Sequence, residues 1–438
     1  MTKTIISKFT SSLFLLLNTQ YATITNCSTM AFNSHNQPHK RTQTITRMNA
    51  NIKIQSEPDD CLNQITTIEG IRSKIDDVRA LQNTYRDATL YHRDWKSTNI
   101  DGDDDDDDSG NQSCSLKVLQ FNTLAQGLSS GPSLPTPFKK SKDENSLKSI
   151  YGGFTDIPNP EIALDFDLRR WRLMEILLED DFDLIALEEV DRFHGFFEPL
   201  MNIIGHEGVY MPKPHSPCVP SGFYSDGCAF FWKKEKVEML KVEKREYEVG
   251  SQVYIIATMR HLESEIIFVV AVTHLKAGKG VRNEIIRAEQ VDELLPAIEK
   301  NTEEAKKMEN ASQDIPVIIA GDFNSDPSET NSCIHRVIPD GTTTKLTSMF
   351  KSAYEIKSPP DPSLYTSWKS RGNTTTKRLI DYIFYKESKG SLICNQILEI
   401  PSKLEETFLP GFKYPSDHMA IGAKFLLEKL HSNKKIKK

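Results

Sequence analysis

Cysteine is scarce and unpatterned in this chain. Its seven residues (Cys27, Cys61, Cys114, Cys218, Cys228, Cys333 and Cys394) are odd in number and include no CxxC pair. That argues against a disulfide framework or a thiolate zinc site and for a reducing compartment. No apolar run approaches the roughly 20 residues that span a bilayer, so a soluble protein with no membrane partner is expected. Surplus positive charge is missing too. The formal net charge is −7, and "DGDDDDDDSG" supplies seven aspartates by itself (Asp101 and Asp103 to Asp108), so the remainder sums to about zero. There is no global basic field of the kind that marks many nucleic-acid binders.

Acidic residues are absent from Met1 to Ser56, where Ser, Thr and Asn abound and "SSLFLLL" is the one strongly apolar segment. This composition suits a mitochondrial transit peptide; a secretory signal with Lys3 and Lys8 as its basic region, or a plain disordered extension, are the other readings. Thiol usage disfavours secretion. A mitochondrial or cytoplasmic location, or both, is expected.

What is present falls into four stretches. Residues 1–60 read as a disordered extension. Residues 61–112 hold a short helix, with Ile71, Ile75, Val78 and Leu81 at helical spacing, and then the polyaspartate linker. Residues 113–428 carry recurrent short apolar runs: "SLKVLQFN", "FDLIALEEV", "GCAFFW", "SEIIFVVAVTHL", "IPVIIAGDFN", "RLIDYIFY" and "HMAIGAKFLL". These read as strands. Helical stretches separate them, such as "LRRWRLMEILLED", with Leu168, Trp171, Met174, Leu177 and Leu178 along one stripe, and "RNEIIRAEQVDELLPAIEK". "SSGPSLPTPFKKSKDENS" reads as a long polar loop, and residues 429–438 as a basic tail. One α/β or α+β domain follows, in a chain expected to be a monomer.

Polar residues interrupt these runs at their ends. Asn122 follows "KVLQF", Glu189 follows "LIALE", His274 follows "FVVAVT", and Asp322 and Asn324 follow "VIIAG". Asp381 instead sits at the start of "DYIFY", and Asp417 and His418 precede "MAIGAKF". If the last two strands run antiparallel to the others, every group reaches one edge of the sheets. Each residue alone has a bland account: an Asx-turn for Asp322 and Asn324, a satisfied core histidine for His274, a surface pair with Arg378 for Asp381, a turn or helix cap for Asp417. Gathered together, carboxylates, amides and imidazoles repel or compete without a cation, and the oxygen-rich set favours Mg²⁺ or Mn²⁺.

In order along the chain, "FNTLAQ", "LEEVD", "PKPHSPC", "DGCAFFW", "VTHLKA", "GDFNSDP", "YTSW", "DYIFY" and "YPSDH" resemble the endonuclease/exonuclease/phosphatase superfamily, from about His92 to Leu427. The resemblance implies a four-layered α/β sandwich, two mostly antiparallel β-sheets flanked by helices, and Mg²⁺-dependent phosphate-ester hydrolysis by direct attack of water. It implies Glu189 as principal cation ligand with Asn122 beside it. Asp322 would be the base, with Asn324 orienting the water. His274 and His418 would donate to phosphoryl oxygens, and Asp381 and Asp417 would support them.

For the substrate, one branch of the superfamily implies removal of the 2′-phosphate of NADP⁺ and NADPH, with a clamp at Lys213, Ser251, Lys276 and Arg371. The carbon-catabolite-repressor-type deadenylase branch implies 3′-to-5′ hydrolysis of poly(A), with RNA as partner. A compact dinucleotide needs a few placed cations rather than a basic surface, which suits this chain better. Three positions depart from the first branch: Gly278, with Lys279 next to it, replaces an arginine; Ser251 replaces an asparagine; and Glu188 replaces a glutamine. A non-catalytic interaction protein on a decayed scaffold is disfavoured by the intact metal and acid/base positions.

Overall fold

The computed structural model describes residues 62, 64–98, 114–130, 151–309, 314–327, 341–356, 361, 363–387, 392–406 and 408–427. The N-terminal extension, the polyaspartate run, all but the first two residues of the long polar loop, and the basic tail lie outside them.

Fifteen strands are described: β1 (Trp95–Ser97), β2 (Cys114–Asn122), β3 (Leu184–Val190), β4 (His206–Pro212), β5 (Gly227–Lys233), β6 (Val237–Glu246), β7 (Val253–His261), β8 (Ile267–His274), β9 (Val317–Asp322), β10 (Lys351–Ser352), β11 (Ser367–Arg371), β12 (Thr374–Arg378), β13 (Asp381–Lys386), β14 (Leu392–Leu398) and β15 (Ile421–Leu427). They form a seven-stranded sheet in the order β1-β14-β15-β2-β3-β5-β4, a six-stranded sheet β10-β13-β9-β8-β7-β6, and a separate β11–β12 ribbon. Among the described strands, β2–β3 and β8–β9 pair in parallel and the other pairs are antiparallel. The longer helices are α1 (Ile68–Asn83), α2 (Phe166–Leu177), α3 (Val281–Glu309) and α4 (Thr342–Met349). None of the described helices is long and apolar enough to cross a membrane.

Three apolar clusters explain the layering. Between the sheets lie Val118, Ala186, Phe230, Ile255, Val270, Ile318, Ile383 and Phe425. The opposite face of the first sheet, with Leu119, Phe121, Ile185 and Leu187, packs against Trp171, Met174 and Leu177 of α2 and Ile71, Ile75 and Val78 of α1. The outer face of the second, with Ile256, Val269 and Ile319, packs against Val291, Leu294 and Ile298 of α3 and Leu346 of α4. Because both faces of each sheet are covered, its strands read as continuous apolar runs rather than alternating ones. The result is the four-layered sandwich of helices, sheet, sheet and helices.

Two described elements before residue 113, α1 and β1, are part of this fold. Thr67 caps α1 by accepting a hydrogen bond from the Gly70 N–H at 3.1 Å, Ile71, Ile75 and Val78 reach the core at spacings of four and three, and β1 pairs with β14. A domain start at 113 separates these elements in sequence; burial does not.

Candidate active site

The strand pleat builds the site. Val118 of β2, Leu184 and Ala186 of β3, Val270 and Val272 of β8, Ile318 and Ala320 of β9, and Ile383 of β13 all face the inter-sheet core. Extending that two-residue period to the strand ends brings Gln120 and Asn122, Glu188, His274, Asp322 and Asp381 to the same side. His274 lies opposite Asp322 across the parallel β8–β9 pair. Because β13 is antiparallel to β9, its first residue, Asp381, also lies opposite Asp322. β15 is antiparallel to β2, so the loop before it delivers Asp417 and His418 to that edge. Two hydrogen bonds then cross between the sheets: Asn122 Nδ2 donates to Asp322 Oδ2 at 3.0 Å, and Gln120 Nε2 donates to Asp381 Oδ1 at 3.0 Å while also donating to Glu188 Oε2 (2.7 Å) within its own sheet.

Backbone strain collects here. Leu124, Glu189 and Asn324, each in a loop or bulge at a site-bearing strand end, have left-handed φ of 57°, 56° and 52°. That conformation costs a non-glycine residue roughly 1–2 kcal/mol. At Glu189 it coincides with a register shift between β3 and β5, which breaks strand alternation and turns the carboxylate toward the β2 loop. There Glu189 Oε2 accepts from the Ala125 N–H at 3.3 Å. Asn324 closes an Asx-turn, its N–H donating to Asp322 Oδ1 at 2.9 Å. Gly321 is required because a Cβ there would sit 2.0 Å from the Thr273 carbonyl oxygen.

The two histidines are driven to opposite states. Burial works against the His418 imidazolium, but Asp381, Asp322 and Asp417 outweigh it and hold the ring at about 9. Asp381 Oδ2 accepts from Nδ1 at 2.9 Å, leaving Nε2–H directed at the site. Burial, with Lys213 and His418 nearby, pushes His274 well below its usual value. Lys213 Nζ, a donor, lies 3.3 Å from His274 Nδ1 on one side of the ring, and Nε2 lies on the other. That atom faces Asp322 Oδ2 at 3.6 Å and the Asn324 amide at 3.1 Å. Burial and the facing Asp381 push Asp322 up to about 6.

Cations flank this group. Lys213 is buried and bonded to Asp226 Oδ2 at 2.6 Å, while Ser216 Oγ holds the other Asp226 oxygen at 2.5 Å. Burial disfavours an ionised Asp417, yet Lys369 at 2.7 Å, with His418 and Arg371, keeps it below the usual carboxylate range. Arg371 lies 3.5 Å from Asp417 Oδ2 with its guanidinium over the Phe154 ring at 4.1 Å. Arg169, fully buried on α2, fastens the two loops that carry the site. It donates to the carbonyls of Thr123 (2.8 Å), Leu124 (2.6 Å) and Pro415 (3.0 Å). Ser416 Oγ donates to the Asn122 carbonyl at 2.6 Å.

A divalent cation suits this donor set. Ligand atoms of Asp322, Asp381 and His418 lie within 4.8 Å of one another, and all three residues are buried. Two facing buried carboxylates with a third, Glu188, enclosed behind them call for positive charge beyond one imidazolium. Glu188 itself is pushed well above its ordinary value, by burial first and then by Asp381.

Of the residues singled out from sequence, Asn122, His274, Asp322, Asn324, Asp381, Asp417 and His418 form one connected group, with Glu189 bordering it through the β2 loop. Arg378 faces Asp326 at 3.8 Å and donates to the Asn324 carbonyl at 3.1 Å. Lys213 and Arg371 join the group through His274 and Asp417. Ser251 and Lys276 are linked through glutamines: the Lys276 N–H donates to Gln290 Oε1 (2.9 Å), and Gln290 Nε2 and the Ser251 N–H both donate to Gln252 Oε1. The sequence reading missed Gln120, Lys369, Asp226 and Arg169. Two of these carried a signal: Gln120 is a polar residue in phase with Asn122, and Lys369 is in phase with Arg371 on β11.

Known proteins share this arrangement of sequence and fold. Rat (Rattus norvegicus) nocturnin is 31% identical over 318 residues, which cover 71% of this chain and 65% of that protein, a little under two thirds of its length. The Ccr4 3′-5′-exoribonuclease subunit of the CCR4-Not complex from Debaryomyces hansenii is 26% identical over 326 residues, covering 63% of this chain and 37% of the relative. The structure of the human nocturnin catalytic domain with bound sulfate anion superposes with a TM-score of 0.52 at 26% identity, covering 76% of this chain and 97% of that one. The sequence model of the endonuclease/exonuclease/phosphatase family matches residues 119–418, which take in every site residue from Asn122 to His418, and the chain belongs to that family.

Proposed function

We propose that this chain is a Mg²⁺-dependent phosphoric-ester hydrolase that removes the 2′-phosphate of NADP⁺ and NADPH, giving NAD⁺ and NADH. The observation that carries the hydrolase reading is the buried Asp322–Asp381–His418 group, bordered by His274 and by Lys213, Lys369 and Arg371. It joins a carboxylate able to take a proton to an imidazolium able to give one, within a ring of cations fit for a phosphate. Glu189 and Asn122, with the carboxylates of Asp322 and Asp381, would hold the metal ion, and the protonated His418 would stand beside it as a donor. Such an ion would supply Lewis-acid polarisation of the phosphoryl group.

The protein's own groups account for the proton movements. Asp322, at about 6, is largely ionised at neutral pH and accepts the proton of the attacking water. Asn122 and Asn324 hold Asp322 in place without adding charge. His418, protonated and oriented by Asp381, donates through Nε2 as negative charge grows on the phosphoryl oxygens. His274, with Nε2 3.6 Å from Asp322 Oδ2, would add a second donor. Two imidazoles and a carboxylate set apart in this way are what acid–base chemistry at neutral pH needs.

The few, placed cations support a compact dinucleotide, as does the likeness to nocturnin; the human domain's sulfate is a tetrahedral oxyanion like phosphate. The Ccr4 likeness supports the rival substrate, poly(A). Purified protein with Mg²⁺ should release inorganic phosphate from NADPH and leave an oligoadenylate at full length. Shortening of the oligoadenylate with no phosphate from NADPH would reverse the assignment. Delivery to mitochondria by the first 56 residues is part of the same proposal, and a fluorescent fusion that stays cytosolic would remove it.

A further inference from the structure

Glu188 takes no part in the proton movements above, yet it is among the most confined carboxylates in the molecule. It is 0% exposed and lies on the core-facing side of β3, beside Asn122 in the parallel register. Its backbone is locked, because its carbonyl accepts from both the N–H (2.9 Å) and the hydroxyl (3.0 Å) of Thr123. Gln120 Nε2 bridges Glu188 Oε2 and Asp381 Oδ1 at 2.7 and 3.0 Å, so one amide holds two carboxylates close together. Two acceptors beside this bridge, Glu188 Oε1 and Gln120 Oε1, are enclosed without a hydrogen-bond partner. Buried acceptors of that kind demand a donor or a cation. The set is all oxygen, which suits a hard divalent ion.

We propose that Glu188 is a positioning residue for the divalent cation of the Asp322–Asp381–His418 group: standing behind Asp381, its carboxylate tightens the hold on the ion. The inference rests on reading that group as a cation site. Glutamine keeps the shape and length of glutamate but turns one acceptor oxygen into an N–H donor, whereas methionine removes the charge without adding a donor. Without an ion this enclosed carboxyl group has only the Gln120 amide as a side-chain partner, which costs stability. With an ion it is a nearby counter-charge and raises affinity. A packing role alone does not reverse sign with metal.

The test uses the full chain and Mn²⁺ alone, without substrate. Calorimetric titration should give Glu188→Gln a Kd about 10–100-fold weaker than the parent, the range for residues that support metal ligands. In chelator the variant should melt higher than the parent, and its gain in melting temperature on adding Mn²⁺ should be smaller. Glu188→Met, equally long and uncharged, should behave alike, while Asp322→Asn should weaken binding in both backgrounds. An unchanged Mn²⁺ affinity in Glu188→Gln overturns the proposal and leaves the cation site standing. A parent that binds no Mn²⁺ overturns the site and the proposal together.

Discussion

At the scale of single residues, Asp322 carries the heaviest demand, because the proposed chemistry asks it to be both buried and ionised. Asp322→Asn should lower kcat by about 10²–10⁴-fold, the usual contribution of a positioned base, while urea unfolding shows a fold no less stable, since a buried carboxylate facing Asp381 is removed. The pH profile follows from the two shifted groups. Activity should rise as pH passes about 6 and Asp322 loses its proton, then fall as pH passes about 9 and His418 loses its own. Asp381 is the chief charge holding His418 up, so in Asp381→Asn the alkaline limb should move to lower pH. An alkaline limb that stays put in that variant contradicts the assigned pairing. Sequence alone could nominate these residues, because a carboxylate or imidazole at the end of an apolar run is conspicuous. It could not assign their protonation states, which depend on distances between strands far apart in the chain.

At the scale of elements, the legible part was whatever periodicity controls. The strand runs, the α2 stripe and the α1 spacing are all local patterns, and the structure forms strands and helices at each. Less legible was the way elements before residue 113 join the core. Their partners, α2 and β14, lie about 100 and 300 residues away, and no local signal records that pairing. Ile75→Ala tests the point: α1 packs Ile75 into the α1–α2 layer at 4% exposure, so the loss should be about 2–5 kcal/mol in chemical denaturation, the range for such a cavity. An independent linker helix would show almost none. The loop after β8 was also opaque. Gly278 replaces an arginine in the resemblance, but the exchange is more than a lost side chain: Gly278 has φ +104°, and a Cβ would lie 2.6 Å from Asn283 Nδ2. Arg287 NH1 meanwhile donates to the carbonyls of both Lys276 and Gly278 at 2.9 and 2.7 Å, setting that backbone path. Gly278→Arg should therefore cost about 1–3 kcal/mol of stability without lowering KM for NADPH; a lower KM at unchanged stability would mean that the loop re-forms readily.

At the scale of the whole molecule, the site is also a seam. Asn122, Glu188 and Glu189 belong to the first sheet, His274, Asp322 and Asp381 to the second, and the rim is where the apolar filling between the sheets gives way to charge. An ion bound by this rim is thus linked to both sheets, and unfolding either one releases it. Binding to the native state alone stabilises a protein by RT ln(1 + [L]/Kd), about 2.7 kcal/mol at a hundredfold excess over Kd. Each kcal/mol is worth roughly 2–4 °C in a domain of 150–250 residues, so a rise of a few degrees is expected in a chain with a folded part somewhat larger than that. Excess EDTA should remove the gain and, in the same sample, abolish phosphate release; restored Mg²⁺ should return both. The two readouts should follow a single Mg²⁺ concentration dependence if one rim site serves both. Thermal stabilisation that saturates at a Mg²⁺ concentration far from the one supporting activity would place the stabilising ion elsewhere, and would separate the strength of the seam from its chemistry.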